Sequence, residues 1–138
     1  MGTSEQAMTI KECMSSRFVT FDPNTPVVEA ASALIKNELI GGPVIDNEGK
    51  LLGWISEQDC LKTVMQVLYY SERVATVAKV MQTDVLIVGL DESPIDVANR
   101  MLQQQPKIYP VLDEKRCVMG VVSRRRILRE MIKRIEIQ

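Results

Sequence analysis

The chain has 138 residues, 46% of them apolar and 25% charged, with a net charge of −1. That mix supports a buried core and excludes general disorder and a general affinity for nucleic acid; with no apolar run of roughly 18 residues, a membrane-spanning helix is excluded too. Histidine is absent, which removes Ser-His and Cys-His nucleophile pairs, and Cys13, Cys60 and Cys117 are too few and too widely spaced for a disulfide framework or a Cys-x-x-Cys zinc site.

Residues 1–8 read as a short polar tail, frayed or tag-derived, with no apolar leader; free thiols and no leader point to a reducing, cytoplasmic compartment. A short helix over 10–14 ends at Met14, and Phe18-Val19-Thr20-Phe21 is extended. Asp22-Pro23-Asn24-Thr25-Pro26 is a turn in which Thr25 is the expected N-cap and Pro26 the first helical residue. Val27, Ala30, Ala31 and Leu34 follow at helical spacing. Gly41-Gly42 predicts a tight turn or a close ligand approach, and Pro43-Val44-Ile45 a strand. Asp46-Asn47-Glu48-Gly49-Lys50 turns the chain into a hairpin returning through Leu51-Leu52-Gly53-Trp54-Ile55. Ser56 caps a helix over 57–71. Its apolar set of Leu61, Val64, Met65, Leu68 and Tyr69 reads as core, with a partner-facing patch at Met65, Leu68, Tyr69 or Tyr70 as the alternative.

The chain then repeats itself. At an offset of 67, Met14 meets Met81. One added residue shifts the offset to 68, pairing Pro26 with Pro94, Ala30 with Ala98 and Leu34 with Leu102. It returns to 67 after a deletion near Pro106, pairing Pro43-Val44 with Pro110-Val111, Asp46 with Asp113, Gly53 with Gly120, Ser56 with Ser123 and Leu61 with Leu128. Each copy reads β-α-β-β-α behind a helical lead-in, over 9–71 and 72–138. A copy of this size is marginal alone, so two packed sheet to sheet around a shared core are expected.

Charge is unevenly placed. Residues 1–114 carry 9 Lys and Arg against 16 Asp and Glu, whereas 115–138 carry 8 against 2. The basic end is read either as a solvated helix face or as an anion site. With only 4% aromatic residues, no stacking platform for nucleic acid is visible.

The Met that closes each lead-in, the x-Pro-Val strand, the Asp-containing turn and Gly-x-x-Ser, repeated in order, resemble CBS domains, named after cystathionine β-synthase. The resemblance runs from about Ile10 to Met131. It implies an α/β (α+β) fold of tandem β-α-β-β-α repeats paired about a pseudo-twofold axis, and frequent homodimerisation. It also implies binding of AMP, ADP, ATP or S-adenosylmethionine in clefts between the copies. With no catalytic domain in the sequence, a stand-alone regulatory module is expected rather than an enzyme, with a regulated protein partner and no catalytic cofactor. The alternative is a ligand-free dimerisation or protein-interaction module using the helices after Ser56 and Ser123.

In that family Gly-x-x-Ser/Thr-x-x-Asp is the ribose pattern, which here falls on Gly53, Ser56 and Asp59, with Ser123 in copy two. A hydroxyl beside a carboxylate suits a ribose diol, and it equally suits a plain helix cap. Copy two has Arg126 where the Asp would be, and arginine accepts no hydrogen bond. Arg124, Arg125 and Arg126 at a helix N-terminus oppose its dipole, so they are expected to hold phosphate, or to pair with acidic groups across a dimer contact. The resemblance places the base against Phe18, Val19, Thr20, Gly42 and Pro43 in copy one. In copy two it places the base against Ile87, Tyr109 and Pro110, with Tyr109 either stacking on the base or lying in a core rim.

Overall fold

The computed structural model describes residues 7–103 and 108–137. Residues 1–6 of the expected tail, and the deletion near Pro106, lie outside them. In chain order the elements are α1 (Ile10–Cys13), α2 (Val27–Asn37), β1 (Gly41–Ile45), β2 (Leu51–Ser56), α3 (Glu57–Tyr70), α4 (Val77–Val80), β3 (Val88–Gly89), α5 (Pro94–Gln103), β4 (Ile108–Leu112), β5 (Val118–Ser123) and α6 (Arg124–Ile137). The order β-α-β-β-α thus recurs, although the first strand of copy one is reduced to a single parallel bridge from Phe21 to Val44.

The chain gathers into two compact units, and neither follows the repeat boundaries. One holds Phe18–Val85 with Arg116–Val118; the other holds the described parts of Met1–Arg17, Leu86–Lys115 and Met119–Gln138. We call them the copy-one and copy-two units. The lead-in helices are exchanged: α4, which precedes copy two in the chain, belongs to the copy-one unit, and α1 belongs to the copy-two unit.

In the copy-one unit β1 and β2 pair antiparallel from Gly41↔Ser56 to Ile45↔Leu51. Their turn is closed by the Asp46 carboxylate, which accepts from the backbone N–H of Glu48 and Lys50, while Gly49 takes a φ of +85° that a side chain would resist. Val27, Ala30 and Leu34 share one face of α2 and pack with Phe21, Val44, Ile55, Cys60 and the exchanged Val77. The helix begins one residue later than its sequence suggests. Pro26 is the N-cap and Thr25 makes no side-chain cap, because Pro26 bridges Thr76 and Val27 donates to the Ala75 carbonyl. Pairing with the segment before α4 thus overrides the local capping signal.

The apolar stripe of α3 is not core. Cys60 and Thr63 form the buried face, whereas Leu61, Met65, Leu68, Tyr69 and Tyr70 are exposed, Leu68 to 70%. Core space here is already filled by α2, the hairpin and α4. The tight turn expected at Gly41-Gly42 is likewise corrected: neither has a positive φ, and both lie buried within β1. A side chain on Gly41 would strike the Trp54 indole, and one on Gly42 the Val19 carbonyl and the Phe21 ring.

In the copy-two unit β4 lies between β3 and β5, with β3 parallel to it through Val88↔Val111 and Gly89↔Leu112. The core is Val88, Val97, Met101, Tyr109, Val111, Val122 and Ile127, completed by Ile10 and Cys13 of α1; Met8, from the expected tail, packs against it. Each unit thus has its own buried cluster, completed by the other copy's lead-in. Full burial of Ile10 alone contributes on the order of 1.5–3 kcal/mol to the copy-two unit.

Candidate ligand-binding site

In the copy-one unit, β2 delivers Ser56 directly to the start of α3. The Ser56 hydroxyl oxygen accepts from the Asp59 backbone N–H at 3.1 Å. The Asp59 carboxylate returns the bond: Oδ2 accepts from the Ser56 N–H at 3.0 Å and from its hydroxyl at 2.8 Å. This reciprocal cap satisfies two donors that a helix start leaves open. It is the structural role weighed from the sequence, and it fixes the carboxylate in place. Asp59 Oδ1 points the other way and accepts from the Gln82 side-chain amide at 3.2 Å. An ionised carboxylate has about four acceptor positions, so one remains for an incoming hydroxyl. Gln82 was not visible from the motif, because only pairing of the segment after α4 with Trp54 brings it alongside.

The residues expected to wall the base in copy one are gathered in the same unit. Phe18 and Val19 are half-buried, Thr20 is exposed, and Gly42 and Pro43 are buried in β1. The Phe21 backbone joins them to this sheet, its N–H donating to the Pro43 carbonyl at 3.0 Å.

Copy two uses the same frame with different chemistry. The Ser123 hydroxyl oxygen accepts from the Arg126 N–H at 3.2 Å, so the cap persists without a carboxylate to answer it. The Arg126 side chain runs to the C-terminal end of α1, where Nε donates to the Cys13 carbonyl at 3.0 Å and Nη2 to the Met14 carbonyl at 3.2 Å. Those are carbonyls that a helix end leaves without partners, and the helix dipole makes them attractive to a cation. Arg126 is thus a tether of the lead-in, which the charge run alone did not reveal. Arg134 adds a second tie to α1, donating to the Glu12 carboxylate at 2.9 Å. Arg124 and Arg125 are exposed at the start of α6.

Tyr109 differs from both expectations. It is fully buried in the copy-two core, so its ring offers no stacking face, and its hydroxyl has no hydrogen-bond partner among the described residues. Burial raises the phenol above its ordinary range, against the opposing pull of Arg100 and Arg124. Pro110 is buried in β4 beside it, and Ile87 is half-buried, its carbonyl accepting from Arg100 at 3.2 Å. Arg100 also pairs with Glu92, whose other oxygen accepts from the Gly89 N–H, so one ion pair braces the turn from β3 into α5. Among the described residues no group of three or more Cys, Asp or Glu is placed to hold a metal ion, and no helix is long and apolar enough to cross a membrane.

Comparison with known proteins agrees with this duplicated frame. The chain is 31% identical over 114 residues to the L-aspartate semialdehyde sulfurtransferase of Methanocaldococcus jannaschii, covering 83% of this chain but only 21% of that protein. Among solved structures it is similar to the CBS domain pair of protein MJ0100 in complex with 5′-methylthioadenosine and S-adenosyl-L-methionine, with a TM-score of 0.78, 29% identity, and coverage of 92% and 98% of the two chains. It shares its fold with the Arabidopsis thaliana protein CBSX2, solved in complex with AMP, at a TM-score of 0.79, 24% identity, and coverage of 91% and 96%. The CBS domain model matches residues 10–66 and again 77–133, and the chain belongs to the CBS domain family.

Proposed function

We propose that this chain is a regulatory module that binds an adenosine-containing ligand, with the ribose held by Ser56 and Asp59 in the copy-one unit. The observation that carries the reading is the Asp59 carboxylate. It is held rigidly by its own cap and keeps an acceptor position on Oδ1, in the same unit as the apolar, half-buried Phe18 and Val19. The likeness to a pair that holds 5′-methylthioadenosine and S-adenosyl-L-methionine supports the ligand class. AMP, ADP, ATP and S-adenosylmethionine are the candidates. Of the residues that the resemblance assigns to the base, Thr20 is exposed, whereas Gly42 and Pro43 are buried in β1 and would meet the base only through close approach to the backbone. In copy two Ser123 lacks the partner carboxylate, so the exposed Arg124 and Arg125 suit an anionic group better than a ribose diol. Control follows if the ligand binds one conformation of the pair more tightly than another. The sulfurtransferase activity belongs to a protein of which this chain spans 21%, and we assign no catalysis here.

The test is calorimetry with AMP, ADP, ATP and S-adenosylmethionine. Asp59→Ala is expected to weaken whichever ligand binds by at least about tenfold, the loss of a charge-assisted hydrogen bond. No binding by any of the four at millimolar concentration rejects the reading.

A second reading, dimerisation, is favoured by one duplicated feature. Leu61, Met65 and Leu68 lie exposed along α3, and Leu128, Ile132 and Ile135 lie exposed along α6 at the same spacing, 67 residues on. A stripe kept apolar in both copies suits a second copy of this chain. Sedimentation equilibrium of the Leu68→Asp, Ile135→Asp double variant decides it: a dimer that becomes monomeric supports the reading, and a monomeric wild type ends it.

A further inference from the structure

The Gln82 backbone is anchored to β2 by two hydrogen bonds with Trp54, at 2.9 and 2.8 Å. That anchor carries its side chain to the start of α3, where it donates to Asp59 Oδ1. The opposite oxygen, Oδ2, is already engaged twice by Ser56. Oδ1 is therefore the oxygen open to a ligand, and a protein donor already lies on it.

We propose that Gln82 is an internal competitor for the ribose and sets the affinity and sugar selectivity of this site; the proposal rests on the adenosine reading above. A ribose diol brings two hydroxyl donors to Oδ1, which has one open position, so the second binds only by displacing the Gln82 amide, and its net gain is the difference between two hydrogen bonds to one carboxylate. The released amide is exposed and returns to water, which keeps the exchange reversible. The competitor is matched to the site that has the acceptor. In copy two, Ser15 stands at the position equivalent to Gln82 and Arg126 at that of Asp59, and Arg126 is turned toward Cys13 and Met14.

The experiment compares wild type, Gln82→Ala, Gln82→Met and Asp59→Ala by calorimetry with AMP, S-adenosylmethionine and 2′,3′-dideoxyadenosine monophosphate, after thermal unfolding has shown which variants fold. Removing the amide is expected to tighten AMP or S-adenosylmethionine by about three- to tenfold while leaving the dideoxy nucleotide unchanged, since it has no hydroxyl to compete. A general loosening of the site would move all three ligands together and would overturn the proposal. Unchanged or weaker binding in both Gln82 variants, with binding still weakened in Asp59→Ala, overturns it while the ribose site stands. If neither AMP nor S-adenosylmethionine binds wild type or any Gln82 variant, the ribose reading falls and the competitor falls with it.

Discussion

Met81 lies directly over Gly53. A Cβ on that glycine would sit 2.7 Å from the Met81 sulfur and 2.6 Å from the Gln82 carbonyl oxygen. Met14 and Gly120 repeat the relationship in the other unit, at 3.0 Å from sulfur and 2.8 Å from the Ser15 carbonyl. Two motif positions that look independent in the sequence, the Met closing each lead-in and the Gly of Gly-x-x-Ser, are one close contact. Each Met meets the Gly of the copy that precedes or follows its own. Gly53→Ala and Gly120→Ala are each expected to destabilise by about 1–3 kcal/mol, because a backbone carbonyl cannot move aside as a side-chain tip can. Urea unfolding of each variant checks this, and unchanged midpoints would show that the lead-ins are not held this way.

Arg126 and Arg124 stand two residues apart and are expected to behave oppositely. Arg126→Ala leaves two carbonyls at the end of α1 without their cation and should cost about 1–3 kcal/mol. Arg124→Ala, at an exposed position opposing the helix dipole, should stay within about 0.5 kcal/mol. Equal effects on chemical denaturation would refute the tether.

Tyr109→Phe removes a fully buried hydroxyl that has no partner among the described residues. Its desolvation opposes folding and no hydrogen bond offsets it, so the variant is expected to be as stable as wild type or more stable by up to about 1 kcal/mol. A loss of stability on thermal unfolding would mean that the hydroxyl is satisfied.

Burial raises the Cys13 and Cys60 thiols above their ordinary 9.0, as it raises Tyr109 above 10.0. Each group is held neutral in the folded state, so its contribution is fully present below those ordinary values. It is lost as pH rises through the higher folded values. Stability should therefore decline from about pH 9 upward, and Tyr109→Phe should flatten the upper part of the decline. At the acid end the sign reverses for Asp46. Backbone N–H groups, chiefly that of Lys50, lower its pKa, so its contribution is lost as pH falls below the ordinary 3.8. Denaturant midpoints across pH test both limbs. The same burial predicts that Cys117, which is only partly covered, reacts first with a thiol reagent at neutral pH, while Cys13 and Cys60 react on unfolding.

Local rules were enough to read the duplicated order of elements, the Ser56 and Ser123 caps, the Asp46 turn and the candidate ribose pair, because each depends on residues a few positions apart. Family membership followed from the same short motifs repeated in register. The start of α2, the burial of α3, the destination of Arg126 and the partner of Asp59 were not legible, because each is decided by a segment far away in sequence. Pro26 answers to Thr76, and Arg126 to carbonyls more than a hundred residues earlier. Apolar spacing says that a helix has a face; whether that face is covered depends on how much core its neighbours already fill, and on α3 they leave Leu61, Met65 and Leu68 outside. The exchange of lead-in helices is the common cause, since it brings distant chain onto each hairpin and places Gln82 on Asp59 Oδ1.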